Sequence, residues 1–345
     1  MKFDFRATSQ SDVAALSEFL GRVLRLRAEA SLLDPRHMAW KYWTARPDWE
    51  GSRSFIAQYG GAMVAHVAVW PVRVRLTGQE VTALHAIDWA ADRRCPGAGT
   101  WLLRQIAPMV RMMVATGGSE IARGILPAIG FRPHTELYQF AYPLGPLGQV
   151  LTTTNRNLKL PARALRNAFW RLSRPLSLPA GWSAVPLAPE EVPERLWPQP
   201  SSATAVTARD AGFYRYFVES PCTSHTLFGL QKNGELAGYF CLASAMHAAR
   251  IADLWLPSSN VEDWCAGFRT AALVAAREKG VYEVSAWAST ALGKAGLSLA
   301  GFLMCECATV SLLGDNMVLE GRELHLQMLD SDASFLSRDG VSYLT

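Results

Sequence analysis

The run Leu84-His85-Ala86-Ile87-Asp88-Trp89-Ala90-Ala91-Asp92-Arg93-Arg94-Cys95-Pro96-Gly97-Ala98-Gly99-Thr100 changes character twice within a short span. Val81 to Trp89 reads as a strand, a glycine turn follows, and a helix opens near Thr100 with Trp101, Leu102, Leu103, Ile106 and Val110 on one face. The first amides of a helix have no intrahelical partner and lie at the positive end of the helix dipole, so a turn of this kind suits a phosphate. Gly97 and Gly99 leave the backbone open to close approach. Two familiar phosphate loops are excluded: no Gly-Lys-Ser/Thr follows, and the third glycine and distal acidic residue of a dinucleotide fingerprint are missing.

Outward from this turn, the order of elements is regular. A short strand at Phe3 to Ala7 precedes a helix that Ser11-Asp12 can cap and that runs through Leu24, and a second helix spans Pro35 to Thr44. Ser54 to Tyr59 and Ala62 to Val69 form a hairpin about Gly60-Gly61, which Val72 to Leu76 extends past Pro71. After the glycine turn and its helix come a strand at Arg111 to Ala115, a helix from Ser119 to about Ala128, and a strand at Glu136 to Tyr142. The second half repeats the first. Lys41-Tyr42-Trp43 matches Arg215-Tyr216-Phe217, Gly60-Gly61 matches Asn233-Gly234, Asp88 matches Asp253, and Gly130-Phe131 matches Gly301-Phe302, at offsets of roughly 165 to 174 residues. The expected division is 1–142, a basic amphipathic joint at 143–180, and 181–345.

Arg94-x-x-Gly97-x-Gly99 directly after a strand, within this order of elements, resembles the acyl-CoA pyrophosphate loop of the GNAT N-acyltransferase superfamily. The resemblance covers nearly the whole chain and implies an α/β fold of two tandem GNAT-like domains, each a mixed, mostly antiparallel sheet flanked by helices. It implies acetyl-CoA or another acyl-CoA as co-substrate, with Arg94, Gly97, Ala98, Gly99 and Thr100 at the pyrophosphate and the Ile87 and Trp89 backbone at pantetheine and thioester. It also implies His85 as general base with Asp88 in reserve, since an ammonium cannot attack a thioester until a nearby group takes its proton. The alternatives for these two are a hydrogen-bonded core histidine and a carboxylate paired with Arg93 or Arg94. Leu126 and Leu297 stand where such enzymes often carry a proton-donating tyrosine; Ser119 or a water is the substitute. In the second half, Glu262 and Asp263 occupy the position of the pyrophosphate, which repels anions and makes that half a degenerate partner.

The implied function is transfer of an acyl group, most simply acetyl, to the amine of a small molecule or amino sugar. Two other readings stand beside it: aminoacyl or peptidyl transfer of the Fem type, and a non-catalytic acyl-CoA sensor or scaffold. A chain of 345 residues, half of them apolar, fills two cores. The net charge of +4 is too small to argue for nucleic acid. No window reaches the apolar length of a membrane span, and the expected compartment is the cytoplasm. The cysteines are scattered and expected to be buried free thiols, Cys305 and Cys307 sharing one strand face, and the histidines form no metal-ligand pair, so no metal is expected. The aromatic stretch Trp40 to Trp49 reads first as core and second as the wall of an acceptor pocket. In the joint, Arg156, Lys159, Arg163, Arg166, Arg171 and Arg174 alternate with Leu158, Leu160, Leu165, Phe169, Trp170 and Leu172. Such a helix either packs its apolar side on both domains with its arginines in water, or makes weak membrane-surface contact through 155–174.

Overall fold

The computed structural model describes residues 2–154, 158–315, 319–335 and 343–345. Arg156, part of the basic joint, lies outside them. The first half comprises β1 (Asp4–Ala7), α1 (Val13–Leu24), α2 (Pro35–Met38), β2 (Ser54–Tyr59), β3 (Ala62–Leu76), β4 (Gln79–Ala91), α3 (Ala98–Ile106), β5 (Met112–Thr116), α4 (Glu120–Ile129) and β6 (Arg132–Pro143). The joint contributes α5 (Pro146–Thr152) and α6 (Leu160–Ser173). The second half comprises β7 (Trp182–Pro186), β8 (Thr204–Thr207), α7 (Ala211–Val218), β9 (Ser224–Lys232), β10 (Glu235–Ala245), β11 (Ala248–Trp255), α8 (Val261–Arg277), β12 (Glu283–Ala288), α9 (Ala291–Ala300), β13 (Leu303–Gly314) and β14 (Glu323–His325).

Local chemistry accounts for most boundaries. Gly60 and Gly61 both take positive φ, 57° and 80°, as a two-residue hairpin turn with the twist of its strands demands. Pro71 sits in β3 beyond Ala68, the last residue paired with β2, where its missing amide costs least. Asp34 caps α2, which continues as a π-helical turn over Ala39–Trp43, in line with the single helix expected there. Ser119 caps α4 by accepting from the Ala122 amide, and Gly130 closes that helix in the left-handed region.

The strands form one mixed sheet in the order β1-β2-β3-β4-β5-β13-β6-β12-β11-β10-β9-β7, with β8 bridging β3 to β14. Of the pairs along this path only β4·β5 and β11·β12 are parallel. The last strand of each half crosses over. β13 pairs with β5 of the first half, β6 pairs with β12 of the second, and the two lie antiparallel in the middle.

Three clusters of buried apolar side chains follow. One lies under α3, built from Leu84, Leu102, Leu103, Ile106 and Met113, and one packs α8 on the second half. The third joins the halves through Trp40, Trp70, Tyr216 and Phe217, with Trp40 stacked on Tyr216 at 4.8 Å between ring centres. The aromatic stretch is therefore largely core. Cys305 and Cys307 depart from expectation, being half-buried and exposed. The β13 register shifts between Met304 and Glu306, which turns this part of the strand outward. Among the described residues no helix is long and apolar enough to cross a membrane, and no group of His, Cys, Asp or Glu is arranged to hold a metal.

Candidate active site

The site is made by two strands that start together and separate. Parallel pairing of β4 with β5 runs only from Ala83↔Met112 to His85↔Val114. Beyond His85 the strands part around a cleft of about 460 Å³, lined on one side by Ile87, Asp88 and Trp89 and on the other by Thr116, Gly117 and Ser119. The cause is a bulge. On the β3 side the register jumps from Ala68↔Ile87 to His66↔Ala90, so Asp88 and Trp89 together face Val67. Asp88 takes φ 48°, a left-handed conformation that aspartate tolerates better than most residues. The simple alternation expected for this strand is broken there, and His85, Ile87, Asp88 and Trp89 all reach the cleft.

The bulge is held by a chain of hydrogen bonds. His66 Nδ1 donates to the Asp88 carbonyl at 3.0 Å, which leaves His66 Nε2 to accept from Ser54 Oγ at 3.0 Å. Thr8 Oγ1 donates in turn to Ser54 Oγ at 2.7 Å. Burial pushes the His66 imidazole down to about 4, so it is neutral and its tautomer is fixed by the carbonyl it serves.

The side chain of Asp88 is not paired with Arg93 or Arg94. It meets buried Lys41 at 2.7 Å and accepts from Tyr42 Oη at 2.8 Å. Burial opposes the charged carboxylate, but Lys41 and Tyr42 outweigh it and hold Asp88 below the usual range. Lys41 also lies 3.6 Å from Asp332 on the cleft wall. Sequence reading passed over Lys41; its one signal is a cation inside the aromatic run Trp40-Lys41-Tyr42-Trp43.

His85 is buried with both ring nitrogens engaged. Nδ1 donates to the Asp330 carbonyl at 2.9 Å, so Nε2 is the acceptor and Thr116 Oγ1 donates to it at 2.9 Å. Burial lowers its pKa, and Asp330 and Asp332 only partly compensate. Both residues line the cleft, and the more exposed of the two is Thr116, which sequence reading did not single out. Leu126 also lines the cleft, so the position of the expected acid is apolar.

The glycine turn lies at the outer end of β4. Gly97 is the N-cap of α3 with φ 82°, and no atom stands within 4 Å of where its Cβ would be. The helical ladder begins with Trp101 N to Gly97 O at 2.8 Å, so the Gly99 and Thr100 amides precede it. The Ala98 amide is already bonded to Cys95 O at 3.2 Å. Gly99 has a different reason to lack a side chain: a Cβ there would stand 2.9 Å from Trp89 Nε1 and 3.0 Å from Ala91 Cβ. Trp89 in turn donates to the Gly99 carbonyl at 3.1 Å and so ties the cleft to the turn. Arg94 projects into solvent and pairs with Asp92 at 2.7 Å, and Arg22 reaches the same carboxylate at 2.8 Å. Exposed Arg93 adds to this charge, and the cations outnumber the one carboxylate between them.

In the second half the corresponding space is filled. β11 and β12 pair in parallel only from Ala248↔Glu283 to Ile251↔Ala286. Residues 323–330 lie across the gap beyond. His325 packs on Trp255 and Trp264, and Ser289 Oγ donates to the Leu324 carbonyl at 2.7 Å. Below them Arg209 is locked between Asp253 and Asp330, at 2.6 and 2.9 Å. Asp263 is drawn off to Lys232 at 2.7 Å.

In both halves a parallel strand pair parts beside a bulge and a helix follows, but only the first half has a glycine turn between them. The chain matches the solved structure of a GCN5-related N-acetyltransferase from Anabaena variabilis with a TM-score of 0.58 and 12% identity, over 93% of this chain and 75% of that one. It matches N-myristoyltransferase of Saccharomyces cerevisiae with bound myristoyl-CoA and inhibitors at 0.59 and 11%, over 90% and 80%. A tandem GNAT protein from the clavulanic acid biosynthesis pathway matches at 0.55 and 12%, over 90% of this chain and 98% of that one. No protein-family model and no curated protein sequence matches this chain. The fold is therefore that of the GNAT superfamily in its tandem form.

Proposed function

We propose that the cleft between β4 and β5 binds an acyl-CoA and that the protein transfers its acyl group, most simply acetyl, to the amine of a small molecule or amino sugar. The observation that carries this reading is the parting of the two strands after His85↔Val114. It leaves the backbone of Ile87 to Trp89 without a β5 partner, on a path from the α3 N-terminus into the cleft. A pantetheine arm extended along β4 would take up those backbone groups as an added strand does, with its pyrophosphate at the Gly97, Gly99 and Thr100 amides and Arg94 nearby. The amide of Ile87 would face the thioester oxygen. The second half, its own gap filled, serves as the covering partner.

The acceptor end is supported by charge. Lys41 neutralises Asp88, while Asp332 and Glu306 line the cleft and draw a cationic amine. Thr116 Oγ1 would take the ammonium proton as it passes its own to His85 Nε2, so the hydroxyl is unchanged and the imidazole becomes charged. The amine nitrogen then bonds to the thioester carbon, the tetrahedral intermediate collapses with cleavage of the carbon–sulfur bond, and the departing thiolate takes the nitrogen's second proton, directly or through water, to leave a neutral amide and a free thiol. Asp88, ion-paired and held acidic, is the weaker base of the two.

Leu126 favours a second reading, binding of acyl-CoA without turnover, because no side chain at that position can protonate the thiolate. Release of free thiol from acetyl-CoA with a panel of amines separates the two.

The binding claim is tested by calorimetric titration of coenzyme A into the wild type, Gly97→Asn and Gly97→Asp. Both side chains tolerate positive φ and enter open space, so the pair differs in charge alone. Gly97→Asp is expected to bind at least about tenfold more weakly than Gly97→Asn. Equal affinities overturn the proposal.

A further inference from the structure

The joint packs only part of its apolar side, Trp170 and Leu176, on the core of the second half. The inner side of α6 holds Asn167, whose side chain donates to Gln149 Oε1 at 2.9 Å, and half-buried Trp170, which donates to the Gly301 carbonyl at 2.8 Å. The opposite side carries Leu165, Phe169 and Leu172, spaced four and three residues apart on one stripe and 74%, 69% and 81% exposed. Leu158 just before the helix is fully exposed, and Leu147 and Leu151 on α5 are 73% and 67% exposed. Isolated exposed leucines are ordinary, but five large apolar side chains on two contacting helices and a sixth just before the second are a surface without a partner.

The charge around this stripe has one sign. From 143 to 180 the sequence contains no aspartate or glutamate. Lys159, Arg166 and Arg171 are exposed on α6 or just before it, while Arg174 lies over the inner Trp170 ring. Arg171 also lines a groove of about 510 Å³ with Arg277 and Lys279, against the single carboxylate Glu278.

We propose that this face docks on an anionic lipid bilayer, with Leu165, Phe169 and Leu172 in the acyl boundary and the surrounding cations among the headgroups. A second copy of the chain fits less well, because a two-fold contact would set the same cations against each other. Nucleic acid fits less well too, since it offers nothing to protruding aliphatic side chains. Long cationic side chains at the rim of an apolar helix face lie flat and reach the headgroup plane, which is the arrangement of an interfacial helix.

The test uses the full chain and vesicles of phosphatidylcholine alone or mixed equally with phosphatidylglycerol. Sedimentation is expected to bring the protein down with the mixed vesicles and not with the neutral ones, and less of it as salt is raised. Replacing Leu165, Phe169 and Leu172 with glutamate abolishes binding. Arg166→Gln with Arg171→Gln weakens it by about thirtyfold. All five side chains are exposed, and circular dichroism confirms that the variants fold. Phe169→Trp gives a positive readout: its fluorescence is quenched by brominated lipid. Absence of sedimentation, undiminished binding by the glutamate variant, or an unquenched tryptophan overturns the proposal. So does a solution dimer that the glutamate variant dissolves, or binding of RNA in place of vesicles.

Discussion

Thr116 and His85, on neighbouring strands, meet side chain to side chain at 2.9 Å where β4 and β5 begin to part. Both residues line the cleft, the threonine half-buried and the imidazole buried. If this pair moves the proton, Thr116→Val lowers kcat by about ten- to a hundredfold and leaves the KM for acyl-CoA near its wild-type value. His85→Gln lowers kcat similarly, and the double variant is little worse than either. Because burial lowers the His85 pKa, the acid limb of the wild-type kcat profile falls below the ordinary imidazole range, and His85→Gln removes that limb. Steady-state kinetics across pH check both.

Buried imidazoles make the fold acid-sensitive. His66, His225 and His325 are each held at about 4 against an ordinary 6.5, chiefly by burial. Between those values the unfolded chain binds the proton and the native one does not. Stability is therefore intact above about pH 6.5 and is lost as pH falls toward about 4, by on the order of 2 kcal/mol per imidazole at pH 5. Urea midpoints at descending pH measure it, and His225→Gln shows a shallower decline.

Arg209 is buried between Asp253 and Asp330. Removing it strands two carboxylates without water, so Arg209→Met destabilises by about 3–5 kcal/mol. Converting both aspartates to asparagine in the same chain recovers much of that loss. Chemical denaturation of the single and triple variants checks it.

The absence of a side chain at Gly99 is required by Trp89. Gly99→Ala forces the indole or the turn to shift and costs about 1–3 kcal/mol, and Trp89→Phe, which shortens the ring opposite the new methyl, restores part of it. Gly97, facing open space, has no such dependence on Trp89. A thermal-melt cycle of Gly99→Ala and Trp89→Phe reads the coupling.

What could be read from the sequence was what is local or repeated. The glycine turn, the strand before it and the helix after it follow from alternation and capping, and the duplication follows from near-equal spacing of landmarks such as Gly130-Phe131 and Gly301-Phe302. What could not be read depends on distant partners. His85 was a candidate from its place on the strand, but its tautomer is set by a carbonyl 245 residues away. Asp88 stood as the reserve base, with Arg93 or Arg94 as its alternative partner, and it pairs instead with Lys41, because the bulge turns its side chain toward the first half's helical turn. The helix face of Leu165, Phe169 and Leu172 carries the same pattern whether a core covers it or not.

The crossing of β6 and β13 makes the halves hostages of each other. Each completes the other's sheet with its final strand, so neither piece alone has a finished edge, and the shared sheet and aromatic core rather than the covalent joint keep them together. A protease that nicks the exposed stretch between Arg174 and Gly181 changes the connectivity and leaves the architecture standing. The fragments should elute as one species until denaturant melts the sheet, and two separately expressed pieces should find each other only if unfolded and refolded together.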